Sequence, residues 1–276
     1  MTSTLRVLTM NIWNFSEPYA ARMALLRGGL ETLAPDLMTF QEAGFHGGRH
    51  QVAEMLDGLG YHVLHQFEVS PPPIGDNGCC VASRWPLRLV ELLPFTVTDR
   101  ARRYPYAALA VRIGAPDPLG ALLVISAKPS WELKHEHERE LQAVALAQLV
   151  ARHADPAGFP PVIGGDFDAA PDSASIRFLT GKQSLAGTSV HFRDAWAEAG
   201  SGDGDTWTSD NPYAAQLIDR VLCQSRHARR IDYIFVGSFH EYTRYARITH
   251  CRLELDKPRD GVWPSDHAAV YAEIAY

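Results

Sequence analysis

Short apolar runs of strand length recur along the whole chain and outnumber its segments of helical periodicity. An apolar run of roughly four to eight residues between turn residues is typical of a buried β-strand. The runs occupy residues 5–10, 37–40, 61–67, 78–83, 106–113, 121–127, 162–165, 231–236, 248–255 and 268–275. Because hairpin-like neighbours occur at both ends of the chain, this pattern favours a mixed sheet or a pair of sheets over a doubly wound parallel sheet.

Helical segments lie between these runs. Apolar residues recur at every third or fourth position over residues 23–33, and Pro35 ends the pattern. The same periodicity predicts helices over residues 52–59 and 136–153. The sequence therefore predicts an α/β fold in which helices flank the sheet or sheets.

The composition is that of an ordinary globular protein, with 276 residues, 46% hydrophobic and 21% charged. We expect one domain over residues 1–276, although length alone allows two smaller ones. The formal net charge of −6 argues against sequence-independent binding to long duplexes, which is typical of basic domains. This charge does not exclude a small phosphate-bearing substrate.

The N-terminal residues run into the first strand without the apolar stretch of a secretory signal, and no run of membrane length occurs elsewhere. We therefore expect a cytoplasmic protein with no membrane contact and no obligate protein partner. Cys79 and Cys80 are predicted to be reduced neighbours in a buried strand, with a strained vicinal disulfide as the alternative. The turn-rich segment from Ser70 to Gly78 is predicted to be a surface loop.

Polar residues of particular types follow several of the apolar runs. A folded sheet delivers the side chains at its strand ends into one cleft, so we expect these residues to meet. They are Asn11, Gln41, Glu42, Asp166, Asp168, Asp232, Ser265, Asp266 and His267. Carboxylates, an amide and an imidazole are the groups that a metal-dependent phosphate hydrolase requires.

Two of these carboxylates are predicted to bind a metal ion. The anionic oxygens of a phosphate ester repel a nucleophile, and a divalent cation held by hard oxygen ligands neutralises that charge. We assign Glu42 and Asp266 as ligands of Mg²⁺ or Mn²⁺, with the amide of Asn11 facing the metal's water shell or the phosphate. Taken alone, each of the three has a structural interpretation at a strand end or in a turn.

Asp166 and His267 are predicted to act on the reacting groups. Asp166 follows a strand through two glycines, which we expect to leave room for substrate, and its carboxylate can accept a proton from water or hold the water in line for attack. His267 is predicted to donate a hydrogen bond to a phosphoryl oxygen, with Asp232 orienting its imidazole. The alternatives are an Asx turn at Asp166 and a structural role for His267.

Six segments, taken in order, resemble the motifs of the endonuclease/exonuclease/phosphatase superfamily. They are Thr-Met-Asn-Ile-Trp at 9–13, Phe-Gln-Glu at 40–42, Ser-Arg-Trp-Pro-Leu at 83–87, Gly-Asp-Phe-Asp at 165–168, Arg-Ile-Asp-Tyr-Ile-Phe at 230–235 and Ser-Asp-His at 265–267. The resemblance extends from Asn11 to His267. It implies a four-layer αββα sandwich of two mixed β-sheets flanked by helices, with one active site for metal-dependent hydrolysis of phosphate esters. It implies no particular substrate, because one fold serves many chemistries.

The chain departs from the family pattern at two positions. Asp168 stands where the family usually has asparagine, which replaces a neutral side chain with one that repels phosphate. Lys128 stands where many members have a strand-end histidine, and it brings a permanent cation near the expected phosphate. We expect both in the catalytic site, where either Lys128 restores the positive potential that Asp168 removes or Asp168 recruits a second metal ion. The alternatives are a turn cap at Asp168 and a solvent-facing Lys128.

Two further side chains are candidates for substrate contacts. Trp207 can stack on a base or a ring, although an aromatic residue near a strand end is more often core. Arg230, in a basic cluster with Arg226 and Arg229, can meet an anionic substrate, with a solvated face as the alternative.

The function predicted from these residues is that of a Mg²⁺-dependent phosphodiesterase or nuclease-like enzyme. Its expected substrate is a small molecule or a short or single-stranded nucleic acid. One alternative is a phosphomonoesterase acting on a sugar or inositol phosphate. The other is a binding protein that keeps the fold without turnover.

Overall fold

Two mixed β-sheets face each other in the computed structural model, which describes residues 3–70, 75–238, 241–242 and 245–276. The strands are β1 Thr4–Asn11, β2 Leu37–His46, β3 Arg49–His50, β4 His62–His65, β5 Asn77–Ser83, β6 Leu87–Pro94, β7 Ala107–Gly114, β8 Ala121–Lys128, β9 Val162–Asp166, β10 Phe192–Asp194, β11 Trp207–Thr208, β12 Ala228–Arg229, β13 Asp232–Gly237, β14 Arg247–Glu254 and β15 Ala269–Ala275. The helices are α1 Tyr19–Leu33, α2 Gln51–Leu56, α3 Gln66–Val69, α4 Glu136–His153, α5 Ala174–Leu179, α6 Ala195–Ala199 and α7 Pro212–Leu222, with a 3-10 turn at Ala101–Arg103.

The first sheet has the strand order β14-β15-β1-β2-β5-β4, with β3 paired to the end of β2. The second has the order β10-β13-β9-β8-β7-β6, and β11 and β12 form a separate ribbon. Strands β1 and β2 run parallel, as do β8 and β9, whereas the hairpin partners at the sheet edges run antiparallel. Both sheets are therefore mixed, as the sequence pattern predicts.

Alternation along the strands sorts the apolar residues into three layers of core. Leu5 and Val7 of β1 face Val162 and Ile234 of the opposite sheet, and Leu8 faces the helices on the other side. Helices α1 and α2 cover the outer face of the first sheet, and α4 and α5 cover that of the second. The order helix, sheet, sheet, helix confirms the predicted four-layer αββα sandwich.

Most predicted elements occur within a residue or two of their expected bounds, and α4 spans the predicted residues 136–153. The strand predicted over residues 61–67 is partly wrong, since β4 ends at His65 and Phe67 belongs to α3. The His65 side chain accepts from the Phe67 amide while Glu68 reaches back to the His65 amide, and this capping box starts a helical turn.

Several elements of the structure were not predicted from the sequence. Strand β6 and helix α7 are the longest of them. Of the loop predicted from Ser70 to Gly78, residues 71–74 lie outside the described residues, and Asn77 and Gly78 belong to β5. Cys79 and Cys80 are buried free thiols in that strand. Within the described part of the chain, no helix is both long and apolar enough to span a bilayer.

Candidate active site

Polar residues continue the inward-facing series of several strands at one end of the sandwich. The alternation that turns Leu5 and Val7 of β1 toward the opposite sheet also turns Asn11 inward, where it contacts Asp166. Three further polar side chains occupy the equivalent inward positions at the ends of β8, β9 and β13, and these are Lys128, Asp166 and Asp232. The site therefore lies where the apolar core between the sheets ends.

Glu42 reaches this site through an irregularity in β2. Strict alternation after Phe40, which packs beneath the helices, would leave Glu42 on the helix side of the sheet. The register between β2 and β5 instead shifts between Phe40 and Ala43, and Glu42 takes a φ of +50°. This bulge re-aims the carboxylate, so that Glu42 Oε1 lies 2.9 Å from Asn11 Nδ2 and 3.7 Å from Lys128 Nζ.

The two glycines before Asp166 serve the packing of the sandwich. A Cβ at Gly164 would lie 2.1 Å from Thr39 Oγ1 of the opposite sheet, and one at Gly165 would lie 2.4 Å from the Ala127 carbonyl oxygen. The prediction that they leave room for substrate is wrong, because protein atoms fill both spaces. Gly164 allows the two sheets to approach closely just before Asp166, and Gly165 avoids a clash with the neighbouring strand β8.

The segment before β15 supplies Asp266 and His267, and a buried arginine holds it. Arg22 of α1 is fully buried and donates to the carbonyl oxygens of Ile12, Ser16 and Pro264. Ser265 donates from Oγ to the Asn11 carbonyl oxygen at 2.7 Å. The loops after β1 and before β15 are thus fixed to each other.

Asp166 has hydrogen-bond partners at both carboxylate oxygens. Oδ2 accepts from Asn11 Nδ2 at 2.9 Å and from Lys128 Nζ at 2.6 Å, and Oδ1 accepts from the Asp168 amide at 3.1 Å. His267 Nε2 lies 3.8 Å from Oδ2. Burial alone raises the pKa of Asp166, but Lys128 and His267 outweigh it and lower the pKa to about 2. Asp166 is therefore a fixed anion.

His267 is paired with a buried carboxylate. Its Nδ1 lies 2.9 Å from Asp232 Oδ2, and Asp232 is completely buried. Burial lowers the pKa of His267, but Asp232, Asp166 and Asp266 together raise it well above its ordinary value. The imidazole is therefore held as a cation with Nε2 on the cleft side.

Lys128 and Asp168, the two departures from the family pattern, contact each other directly. Lys128 Nζ donates to both Asp166 and Asp168, and these two carboxylates with Glu42 raise the lysine pKa although burial opposes the rise. Asp168 has a φ of +50°, and its carbonyl oxygen accepts from Arg229 Nη2 at 2.8 Å. Lys128 therefore does not point to solvent.

Two carboxylates at the cleft carry electrostatic strain. Burial raises the pKa of Asp168 to about 6. The charge of Asp166 contributes to the rise, and Lys128 opposes it. Burial likewise raises the pKa of Asp266 to about 6. The charge of Glu42 contributes to this rise, and His267 opposes it. Carboxylates that repel each other in this way favour either a proton or a cation between them.

The donor set fits a hard divalent cation. Glu42 and Asp266 line the same cleft, and the pKa of Asp266 responds to the charge of Glu42. Carboxylate oxygens are the ligands that Mg²⁺ and Mn²⁺ prefer. One oxygen each from Asp166 and Asp232 and a ring nitrogen of His267 also lie within 4.8 Å of one another, close enough to share an ion. A protonated His267 repels a cation, so we favour Glu42 and Asp266.

Asn11, whose amide is predicted to face the metal's water shell or the phosphate, contacts carboxylates of the site. Its Oδ1 accepts from the Trp13 amide at 3.0 Å, and Nδ2 donates to Glu42 and Asp166. The amide oxygen is therefore already engaged, and the nitrogen faces the carboxylates. Asn11 instead fixes the positions of Glu42 and Asp166 relative to each other.

The two predicted substrate contacts lie in different places. Trp207 lines the cleft, with its ring centroid 6.5 Å from that of His267. Arg230 is turned away from the cleft, since it is buried, pairs with Asp194 at 2.8 Å and lies over the ring of Tyr233. Its neighbour Arg229, the last residue of β12, lines the cleft in its place.

Arg22 is a site residue that sequence reasoning missed. A signal was present, because position 22 precedes Leu26 by four residues and Leu30 by eight, which places the charge on the buried stripe of α1. A buried arginine there requires several carbonyl acceptors. Trp131, an aromatic residue that could stack on a base or a ring as Trp207 could, also lines the cleft.

Comparison with solved structures supports the fold. TDP2 from D. rerio, complexed with single strand DNA product, has a TM-score of 0.72 at 17% identity, and the match covers 99% of each chain. The catalytic domain of human Nocturnin with bound sulfate anion has a TM-score of 0.69 at 17% identity, covering 99% of this chain and 97% of that one. An endonuclease/exonuclease/phosphatase family protein from Bacteroides thetaiotaomicron has a TM-score of 0.71 at 15% identity, covering 100% and 99%. At these identities the likeness shows a shared fold.

Sequence comparison gives the family. No curated protein matches the chain significantly. The sequence model of the Endonuclease/Exonuclease/phosphatase family matches residues 8–267, which include all the cleft residues described above. The chain therefore belongs to the Endonuclease/Exonuclease/phosphatase family, whose enzymes are generally metal-dependent hydrolases of phosphate esters.

Proposed function

We propose that the protein is a Mg²⁺- or Mn²⁺-dependent phosphodiesterase that attacks its substrate with a water positioned by Asp166. The observation that carries this proposal is the convergence of two groups of residues. Glu42, Asp266 and His267 line one cleft. Buried behind His267 are Asp232, to which its Nδ1 is hydrogen-bonded at 2.9 Å, and Asp166, which lies 3.8 Å from its Nε2. Family membership supports hydrolysis of phosphate esters in general.

Glu42 and Asp266 would hold the divalent cation. When bound, the cation neutralises charge on the phosphoryl oxygens and polarises the phosphorus toward attack. Asn11 contributes by donating to Glu42 at 2.9 Å, which fixes the carboxylate at the end of its bulge. Arg22 fixes the segment that carries Asp266 through the Pro264 carbonyl oxygen.

Asp166 would position the attacking water. A carboxylate with a pKa of about 2 is a weak base at neutral pH, so its low pKa favours orientation of the water over storage of its proton. Asp166 is completely buried, and the water therefore approaches it between Lys128 and His267, which both line the cleft. In-line placement of the nucleophile is the contribution that such an anion makes.

His267 would stabilise the charge that develops on the phosphoryl oxygens. Its raised pKa keeps the ring protonated at neutral pH, and Asp232 at Nδ1 leaves Nε2 free to donate. A preoriented cationic donor of this kind typically contributes about 10²- to 10³-fold to the rate. Asp232 acts through His267 and does not face the substrate.

Lys128 and Asp168 would act as a pair. Their direct contact favours the first of the two sequence-based hypotheses, in which Lys128 offsets the negative charge that Asp168 introduces. In this role the Lys128 ammonium group contacts Asp166, Asp168 and Glu42 directly. A second metal ion at Asp168 would have to displace it. Lys128 and the cation at Glu42 together would then face the phosphate.

The shape of the site supports a diester over a monoester. A second pocket, lined by Asn77, Tyr104 and Tyr106, shares Lys128 and Glu42 with the main cleft. Two arms that meet at the catalytic floor accommodate two ester substituents. A small molecule or a short single strand fits this geometry, and the single strand DNA product bound to the similar D. rerio TDP2 agrees with the second. The cytoplasmic location stays a prediction.

Hydrolysis of bis-p-nitrophenyl phosphate with Mg²⁺ or Mn²⁺ tests the proposal. We expect turnover that chelation abolishes, and losses of about 10²-fold or more in Asp166→Ala and His267→Ala. Asp172→Ala is the matched control, because Asp172 is exposed in the loop after Asp168. Faster cleavage of the mono-ester would indicate a phosphomonoesterase, and no turnover of any phosphate ester with any metal would indicate a binding protein.

A further inference from the structure

Exposed apolar side chains are concentrated at the mouth of the active-site cleft. Among the described residues, the exposed large apolar or aromatic side chains are Leu89, Tyr104, Leu133, Val221 and Tyr245. Leu133 and Val221, exposed by 41% and 40%, line the cleft with Lys128 and His267, and Tyr104 lines the second pocket. Exposed apolar surface is unfavourable in water, so its collection at a functional cleft indicates a ligand that covers it.

The apolar residues that line the cleft come from two segments, which form its two walls. Trp131 and Leu133, in the segment after β8, make one wall, and Leu217 and Val221 of α7 make the other. Leu217 and Val221 are four residues apart and so share one face of the helix. The same apolar stripe carries Ala214, which anchors the helix in the small core around Trp207, and Val221 continues the stripe to the exposed side at the cleft. Folding of α7 therefore leaves an apolar face for the cleft.

The floor and the walls have opposite chemistry. The floor carries Lys128, His267 and the Glu42 and Asp266 carboxylates, which suit an anion bound with a cation. A sugar or a polyol between the walls would lose its water hydrogen bonds against leucine and valine side chains, which offer none in return. An apolar group would release water from both walls and itself.

We propose that the space between Trp131–Leu133 and α7 binds an uncharged apolar substituent of the phosphate ester, an aryl ring or an alkyl chain. The inference rests on the proposed function, because the catalytic floor holds the phosphate to which the substituent is attached. It narrows the substrate class to phosphate esters in which an aryl ring or an alkyl chain is attached to the ester oxygen.

Binding of phosphonates tests this inference without requiring turnover. Phenylphosphonate and hexylphosphonate carry the aryl and alkyl groups, and 2-hydroxyethylphosphonate is the polar reference; their carbon–phosphorus bonds are not hydrolysed. Calorimetry in the presence of Mn²⁺ measures the dissociation constant of each. We expect at least one apolar phosphonate to bind about tenfold more tightly than the reference, which corresponds to about 1.4 kcal/mol. Tight binding of phenylphosphonate alone assigns the site to a ring, and of hexylphosphonate alone to a chain.

Replacement of the wall residues supplies the control. The double variant Leu133→Ser with Val221→Ser should lose the tenfold preference, whereas Leu89→Ser should keep it. Leu89 is a matched control, because it is 38% exposed and lies on β6, outside the residues that line the cleft. Equal binding of the three phosphonates, no binding of any of them, or a preference that survives in the double variant would overturn the inference.

The outcome is separable from that of the proposed function. A preference for apolar phosphonates in a protein that hydrolyses no phosphate ester would keep the apolar site and reject the phosphodiesterase. Hydrolysis of bis-p-nitrophenyl phosphate with equal phosphonate affinities would do the reverse.

Discussion

Replacement of Asp168 by asparagine should stabilise the metal-free protein. Asp168 is buried beside Asp166, and burial with that neighbouring charge raises its pKa from 3.8 to about 6. An acid with a raised pKa in the folded state costs stability at every pH above its unfolded value. Asparagine removes the charge and still offers Lys128 an oxygen acceptor.

The magnitude follows from the pKa of Asp168. A rise from 3.8 to about 6 corresponds to about 3 kcal/mol at pH 7.5. Because Lys128 loses part of a charged hydrogen bond, we expect Asp168→Asn to raise the free energy of unfolding by about 1 to 3 kcal/mol. Each kcal/mol raises the melting temperature of a protein this large by about 2 to 4 °C.

The pH dependence has a definite sign. Below pH 3.8 the carboxyl is protonated in both states and costs nothing, and the penalty grows as the pH rises and is complete above about 6. The gain from Asp168→Asn should therefore fall by about two thirds between pH 7.5 and pH 4.5.

Urea unfolding of the metal-free protein at the two pH values measures this gain. The exposed Asp172→Asn is the control and should stay within about 0.5 kcal/mol of wild type. A loss of 1 kcal/mol or more in Asp168→Asn at pH 7.5 would refute the reasoning, since Asp168 would then stabilise the fold through Lys128.

Three further predictions concern the residues that support the site. Asp232→Asn should lower the pKa of His267, so that kcat of the variant falls as the pH rises through neutrality while kcat of wild type does not. A pH–rate profile of diester hydrolysis measures this difference. Identical profiles for the two proteins would contradict the prediction. Gly164→Ala should destabilise the protein by about 2 to 4 kcal/mol because its Cβ would meet Thr39 at 2.1 Å, and thermal unfolding checks the loss, with Gly28→Ala, where the space is open, as the control. Arg22→Met should cost about 3 kcal/mol or more by leaving three carbonyl oxygens without their donor, and an unchanged melting temperature would reject this role.

The sequence predicted the secondary structure mainly where a segment had one dominant hydrophobic periodicity. Helix α4 carries apolar residues at helical spacing from Leu141 to Val150, and β1 and β15 are short runs in which apolar residues predominate. Helix α7 was missed although its sequence carries the signal. Its apolar residues at 214, 217, 218, 221 and 222 recur at helical spacing, and Pro212 stands at its first turn. The short α3 depends on a capping box that has little periodicity of its own.

The site was predicted as a set of residues but not in its contacts. Strand-end position and residue type brought Glu42, Asp166 and Asp266 to attention, and the structure places them around one cleft. The direction of the Glu42 side chain depends on a bulge in β2. The sequence of residues 37–46 does not predict this shift in register against β5, which lies about forty residues further along the chain. The sequence also could not tell which arginine of the cluster meets the cleft, because the direction of Arg230 is set by its ion pair with Asp194, thirty-six residues away.

The account depends on Glu42 and Asp266 as the ligands of a divalent cation. Crystals grown with Mn²⁺ and measured for anomalous scattering locate the ion directly. We predict a peak within about 2.0 to 2.6 Å of carboxylate oxygens of both Glu42 and Asp266, and its loss in Glu42→Gln. A peak bound instead by Asp166, Asp232 and His267, or no peak at a saturating Mn²⁺ concentration, would contradict the assignment.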